Sequence, residues 1–475
     1  MNLPIKFGTE GWRGIIADDF TFDNVRLCSQ GVAELVNSNK LHGNKSVLIG
    51  YDTRFGSESF AQVAAETIAH NGIPVHLSRK PAPTPVLSFN TKHNNHQAAI
   101  IITASHNSYK WNGFKLKLAY GGPADTKTIT ELETQIAAIS QKKNPFPKKR
   151  NPSIEYFDPD ETYLPHIKNL ISMDSILNSK LSVVVDPMWG VGSGYLSSLC
   201  SSNSNKITEI RSTHDPMFPG IDQPEPVEKN LLKLQQKVVD TSSEIGLAND
   251  GDADRLGVVN KNGTYISSLQ IFALLCMHQL EFLDNRAPIV KSITMTNMID
   301  KLGKYYDVPV FSTSVGFKNI APIMVAKKAM AAGEESGGYA FNNNMPERDG
   351  ILSGLLLLEM MAISGKSLSE LIKLLESKVG HHNYNRIDVK IQNNKKAQII
   401  DRLISSPITS IGNKKILDFD NTDGFKYILD AEGSWLLIRF SGTEPLLRIY
   451  AECQSQAETQ NALTAAIEIM GINAN

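Results

Sequence analysis

Lys45-Ser-Val-Leu-Ile-Gly-Tyr-Asp52 is an apolar run that stops at an aspartate. A helical pattern follows from about Ser57 to His70, and then a second short apolar run, Ile73-Pro-Val-His-Leu77. The same order recurs twice. Leu181-Ser-Val-Val-Val-Asp186 leads through a glycine-rich turn to a helix near Tyr195–Cys200 and a strand around 207–210. Pro288-Ile-Val-Lys-Ser-Ile-Thr294 leads to a helix around Met298–Tyr306 and then Val308-Pro-Val-Phe311. Strands alternating with helices read as βαβ units with largely parallel sheets, so three similar α/β domains are expected. The proline- and charge-rich stretch Asn144-Pro-Phe-Pro-Lys-Lys-Arg-Asn-Pro152 reads as a linker. After about Gly380 the pattern changes to strand, polar helix and paired strands, an α+β arrangement. The expected domains are residues 1–150, 151–260, 261–378 and a smaller α+β domain at 379–475.

A chain of 475 residues exceeds one hydrophobic core. Hydrophobic residues make up 41% and charged residues 20%, with a formal net charge of -1. That balance removes any global electrostatic case for nucleic acid or an anionic membrane as partner. The N-terminus lacks an apolar stretch of signal length. The most apolar helix candidate, Leu355–Ala362, is short and carries Glu359, so it is no membrane span. Cys28, Cys200, Cys276 and Cys453 are far apart and form no Cys-x-x-Cys pair. They fit idle thiols in a reducing compartment, and a cytoplasmic location is expected. Oligomeric state is left open.

Four polar stretches carry chemistry. In Gln97-Ala-Ala-Ile-Ile-Ile-Thr-Ala-Ser105-His106-Asn107 an apolar strand ends on a serine. The carboxyl edge of a parallel sheet is where α/β enzymes build sites. Read alone, Ser105 fits an ST-turn or helix cap as well as a nucleophile, and no Gly-x-Ser-x-Gly elbow surrounds it. Asp250-Gly-Asp252-Ala-Asp254-Arg255 also follows an apolar run. Alternate carboxylates on a turn suit one hard divalent cation, and without one their mutual repulsion is costly. An EF-hand is excluded, because Arg255 stands where that loop needs Gly and Lys261 where it needs Glu. Oxygen-only ligation by few carboxylates suits Mg²⁺. Gly333-Glu334-Glu335-Ser336-Gly337-Gly338 offers carboxylate and hydroxyl groups for sugar hydroxyls, or is an ordinary acidic turn. Leu436-Leu-Ile-Arg439-Phe-Ser441-Gly442-Thr443-Glu-Pro445, with Arg448, reads as a phosphate cradle, or as a hairpin with charged edges.

Other matches fail. Gly190-Val-Gly192-Ser-Gly194 is followed by Tyr195, where a dinucleotide fingerprint needs its third glycine. Met360 stands where a P-loop ending in Gly365-Lys366-Ser367 needs its first glycine. No His-Glu-x-x-His occurs.

Taken in order, the four stretches resemble the α-D-phosphohexomutase family over nearly the whole chain. The likeness begins at Phe7-Gly-Thr-Glu-Gly-Trp-Arg13-Gly14, similar to the family's N-terminal arginine loop. It implies four domains around a central cleft, three related α/β domains with mixed sheets plus a smaller C-terminal one. It also implies interconversion of hexose 1-phosphate and hexose 6-phosphate through a phosphoserine enzyme and a hexose 1,6-bisphosphate intermediate. By that resemblance Ser105 is the phosphorylated residue, and Asp250, Asp252 and Asp254 hold Mg²⁺ together with a phosphoserine oxygen. Arg13 and Arg255 lie beside the transferring group, Lys115 is the acid/base, and His106 joins the catalytic set. Lys318, Glu334, Ser336, Arg439, Ser441, Gly442, Thr443 and Arg448 bind sugar and phosphate. Ser108 stands where the family usually has proline, which implies a slightly looser serine loop.

The Glu334-Glu335-Ser336 triplet resembles glucose and mannose members more than glucosamine members, which tend to have Gln before Ser. A phosphoglucosamine mutase stays as the alternative. A Mg²⁺-dependent sugar phosphatase and an idle sugar-phosphate-binding protein rank lower, because hydrolysis needs no second phosphate site and the serine and aspartates are intact.

Overall fold

A computed structural model describes residues 5–142, 146, 153–405, 408–430, 432–440 and 446–472, with the side chains of 393 and 394 left out. Strands β1 (Trp12–Ile15), β2 (Asn44–Tyr51), β3 (Val75–Ser78), β4 (His96–Ile102), β5 (Trp111–Leu118) and β6 (Ile154–Phe157) form a sheet ordered β1-β5-β4-β2-β3-β6. β4, β2, β3 and β6 run parallel; β5 pairs antiparallel with both β4 and β1. β6 joins this sheet from beyond the boundary expected near residue 150, by pairing with β3.

The second sheet, ordered β11-β10-β9-β7-β8, uses β7 (Ser182–Asp186), β8 (Lys206–Glu209), β9 (Ile245–Asn249), β10 (Leu256–Asn260) and β11 (Tyr265–Ile266). The third, ordered β13-β12-β14-β15, uses β12 (Ile289–Ser292), β13 (Val310–Thr313), β14 (Ala331–Gly333) and β15 (Tyr339–Phe341). Each of the three sheets repeats one plan. Three parallel strands lie in the order third, first, second, and an antiparallel strand pairs with the third. The sheets are therefore mixed, as the family resemblance implied, and not largely parallel as the strand–helix alternation alone suggested. Apolar runs identify strands but carry no sign of direction, which the turn after each strand decides.

The last domain is antiparallel. β16 (Asn383–Lys390), β19 (Asp418–Asp420), β20 (Phe425–Ile428), β21 (Trp435–Phe440) and β22 (Leu446–Cys453) are ordered β16-β22-β21-β20-β19, beside the small hairpin of β17 (Ser410–Ile411) and β18 (Lys414–Lys415). Along β22, Leu447, Ile449, Ala451 and Cys453 face the domain's core. Tyr450 instead packs with Trp435 and Leu437 against Ile293 of the third domain. The Glu452 carboxylate fastens that contact, accepting from the Asn297 N–H at 2.9 Å and from Trp435 Nε1 at 2.6 Å.

One apolar cluster runs continuously through the second and third domains and takes in Val86 and Phe89 of the first. At its centre lies the helix Gly350–Ser364, started by the Asp349 side chain accepting from the Leu352 N–H and ended by Gly365 at φ 65°. Its one interior charge, Glu359, is met by His278 Nε2 at 2.7 Å and the Ser172 N–H. No single helix among the described residues is long and apolar enough to cross a membrane.

Candidate active site

The three loops singled out in the α/β domains occupy one equivalent position. Each joins the third parallel strand to its antiparallel neighbour: residues 103–110 between β4 and β5, 250–255 between β9 and β10, and 334–338 between β14 and β15. Each turns through a left-handed residue: Ser105 at φ 52°, Ala253 at φ 56° and Gly337 at φ 89°.

Ser105 is fully buried. Its Oγ donates to Asp250 Oδ2 at 3.0 Å, and His106 Nδ1 lies 3.3 Å away. Burial, then the charges of Arg255 and Arg13, holds His106 well below its ordinary pKa, so its imidazole is neutral. Arg13 donates to Asn107 Oδ1, two residues from the serine. The acidic loop approaches closely because position 251 is glycine: a Cβ there would sit 2.5 Å from the Ser105 carbonyl oxygen.

Asp250, Asp252 and Asp254 are buried and bring carboxylate oxygens within 4.8 Å of one another. Their repulsion is offset by protein cations that sequence reading did not pair with them. Lys115 Nζ lies 2.7 Å from Asp252 Oδ2, 3.3 Å from Asp254 Oδ2 and 3.4 Å from Glu10 Oε2. Arg348 pairs with Asp254 and Glu10 and reaches Glu334 at 3.4 Å. Burial opposes ionisation of Asp252, yet the Lys115 ammonium overrides it and holds that carboxyl well below the usual range. Burial, then the charges of Asp254 and Asp252, pushes Asp250 well above it. Asp252 Oδ1 and Asp254 Oδ1 are buried with no hydrogen-bond partner. Orphaned carboxylate oxygens beside a serine hydroxyl suit a hard divalent cation. Arg255 lies alongside, its Nε 4.0 Å from Asp250 and 3.9 Å from Asp254, its tip donating to Glu225 at 2.8 Å.

Glu334 Oε1 accepts from the Gly316 N–H at 2.9 Å, so the start of the helix Phe317–Lys327, which carries Lys318, is fastened to the 334–338 loop. Lys318 itself lines a separate cavity of about 680 Å³ with Thr126, Lys127 and Phe311. Ser336 Oγ is shielded and unpartnered. Glu335 turns to its own sheet, accepting from Ser292 Oγ at 3.2 Å and from Thr294. Arg439 and Arg448 are register partners on β21 and β22. Arg439 Nε is 3.0 Å from Asp423, and Arg448 Nε is 3.9 Å from Asp388. Ser441, Gly442 and Thr443 lie outside the described residues.

Sequence reasoning missed Arg54, Arg348 and Thr84. Arg54 is buried beneath the serine loop, and Thr84 Oγ1 donates to Asp252 Oδ2 at 2.7 Å. The signals were slight: Asp52-Thr-Arg54 just past a strand end, and the charged run Glu347-Arg348-Asp349 before the most apolar helix.

A buried serine facing an acidic cage, on three like α/β domains and a smaller fourth, defines a multidomain phosphotransferase. Sequence families described as phosphoglucomutase/phosphomannomutase alpha/beta/alpha domains I, II and III and C-terminal domain match residues 4–143, 161–263, 268–379 and 387–468. A phosphoglucomutase/phosphomannomutase of Thermococcus kodakarensis is 30% identical over 472 residues, covering 98% of each chain. A phosphoglucosamine mutase of Methanocaldococcus jannaschii is 29% identical over 431 residues, 90% of this chain and 92% of the relative. A solved structure described as a phosphomannomutase of Thermus thermophilus superposes with TM-score 0.85 at 30% identity, covering 99% of this chain and all of that one. The chain belongs to the α-D-phosphohexomutase family, and is an intramolecular phosphotransferase.

Proposed function

We propose that this enzyme interconverts the 1-phosphate and 6-phosphate of glucose or mannose through phosphorylated Ser105. The observation that carries the reading is the buried Ser105 Oγ, held against Asp250 with His106 beside it. In the forward step a sugar hydroxyl gives its proton to a neighbouring base and its oxygen bonds to phosphorus, as the bond from phosphorus to Ser105 Oγ breaks and Oγ takes up a proton, giving a hexose 1,6-bisphosphate. In the return step Oγ attacks the other phosphate, its proton passes to a neighbouring base, and the bond to that sugar oxygen breaks as the oxygen takes up a proton. Neutral His106, 3.3 Å from Oγ, is placed to take the Oγ proton.

Asp250, Asp252 and Asp254 would hold Mg²⁺, which supplies neutralisation of charge on the phosphoryl oxygens. Burial disfavours the Lys115 ammonium, but Asp252, Glu10 and Asp254 raise it above its ordinary pKa. Lys115 is thus held as an ammonium, and can exchange its proton with the sugar only once its carboxylates have another partner. Arg13 and Arg255 flank the transferring group. Arg439 and Arg448, with Ser441, Gly442 and Thr443, take the phosphate that is not reacting, whichever end of the sugar bears it.

The choice of sugar rests on Glu334. It is already met by Arg348 and the Gly316 N–H, so it suits a neutral hydroxyl better than the ammonium of glucosamine. The Glu335 signal carries less, because that carboxylate is taken up by Ser292 and Thr294. A phosphoglucosamine mutase is the second reading, favoured by the Methanocaldococcus jannaschii relative. Incubation with Mg²⁺, a trace of hexose 1,6-bisphosphate, and the 1-phosphates of glucose, mannose, glucosamine and N-acetylglucosamine in turn tests the proposal. Isomer from glucose or mannose supports it. Turnover of glucosamine 1-phosphate alone transfers it to the second reading. Free phosphate without isomer overturns both.

A further inference from the structure

Arg54 is buried and stands on the turn that follows β2. It donates to the carbonyl oxygens of Ser105 and Asn107 at 2.6 Å each, of Ser108 at 2.9 Å and of Trp111 at 3.1 Å. The guanidinium is held from two further sides. Its Nε lies 3.2 Å from Asp52 Oδ2, and its Cζ lies 4.9 Å from the ring centre of Phe218, which comes from the second domain.

This arrangement fixes the opposite side of the loop. A trans peptide unit points its N–H away from its C=O, and the described chain has no cis peptide. With the Ser105, Asn107 and Ser108 carbonyls turned to Arg54, the N–H groups of His106, Ser108 and Tyr109 turn the other way. None of these three N–H groups donates to another group among the described residues. Successive unpartnered N–H groups on a turn form an anion-binding concavity. The Ser105 Oγ belongs to this same turn, and the left-handed Ser105 backbone is a strained conformation that an external clamp helps to hold.

We propose that Arg54 is a positioning residue. By gathering the loop's carbonyl oxygens it presents the N–H groups of His106, Ser108 and Tyr109 to the oxygens of a phosphoryl group on Ser105. The inference rests on the phosphoserine reading above. It assigns to Arg54 the rigidity that a proline at Ser108 would otherwise lend.

The test uses wild type and Arg54→Lys, whose single ammonium cannot span the loop's carbonyls. Both are loaded with glucose 1,6-bisphosphate, phosphate on Ser105 is followed by mass spectrometry, and transfer to hexose monophosphate is measured against loss to water. Arg54→Lys should transfer about 100- to 1000-fold more slowly, the scale of losing one preorganised donor, with loss to water undiminished and KM unchanged. An unchanged transfer-to-hydrolysis ratio overturns the proposal, even if the variant melts lower. Amide exchange of loaded against unloaded wild type gives an answer without any variant. His106, Ser108 and Tyr109 should gain protection, and equal exchange at all three overturns the proposal. A wild type that takes no phosphate on Ser105 fails the phosphoserine reading itself, and this inference with it.

Discussion

Lys115 Nζ and Asp252 Oδ2 lie 2.7 Å apart, a buried ion pair that ties β5 of the first sheet to the acidic loop of the second. Like-charge repulsion alone suggests that removing one aspartate would relieve the acidic cage. The pair reverses that expectation. Asp252→Asn should cost stability on the order of 3 kcal/mol, the scale of breaking one side of a buried pair, and should also suppress turnover. Calorimetric melting without metal checks the first part. A melt matching wild type would mean that Glu10 and Asp254 suffice for the Lys115 charge.

Ser105→Ala should abolish both covalent phosphate and mutase turnover while leaving the fold intact, because the lost hydroxyl makes only two side-chain hydrogen bonds, to Asp250 and His106. Intact-mass spectrometry after incubation with hexose 1,6-bisphosphate reads the first effect. A variant that still isomerises would remove Ser105 from the mechanism.

Arg439→Ala should weaken the 1-phosphate and the 6-phosphate together, by about 1.5–3 kcal/mol, roughly ten- to a hundredfold in affinity. Phosphate on Ser105 should remain detectable, since that residue sits in another domain. Titration of both isomers decides it. A defect confined to one isomer would make the cradle orientation-specific.

Burial is the largest influence raising Glu334 from its ordinary 4.5 to about 7, with Glu335 and Glu10 adding to it and Arg348 opposing. The folded carboxyl therefore holds its proton at pH values where the unfolded one has lost it. Its contribution to stability is fully present below pH 4.5 and is lost as pH rises to about 7. Asp349, raised by burial to about 6, acts in the same direction. Glu334→Gln should flatten this drift in denaturant midpoint between those limits. An unchanged slope would place the titration elsewhere.

The helices Ser57–His70, Tyr195–Cys200 and Met298–Tyr306 fall where apolar periodicity put them, because that signal is local. β1, β5 and β10 went unread as antiparallel partners, since direction is settled only when a turn closes. Ser105 and the aspartates were legible as polar ends of apolar runs. Arg348 was not, because its partner Glu10 lies 338 residues away and nothing near either residue names the other. The sequence could not tell Glu334 from Glu335 for a related reason: adjacent loop residues face different neighbours, and only the tertiary fold sorts them.

The place of the serine loop, between two paired strands of one sheet, also makes its length chemically meaningful. On β5, Phe114 and Leu116 enter the first domain's core, while Lys115 and Lys117 reach Asp252 and Glu347 on the other face. Side chains alternate with period two. One residue added or removed between Ser105 and Trp111 would either open a bulge or turn both lysines inward and both apolar side chains outward. The spacing from nucleophile to ammonium is thus counted out by the sheet, and single-residue insertions at this turn should be far more damaging than most substitutions within it.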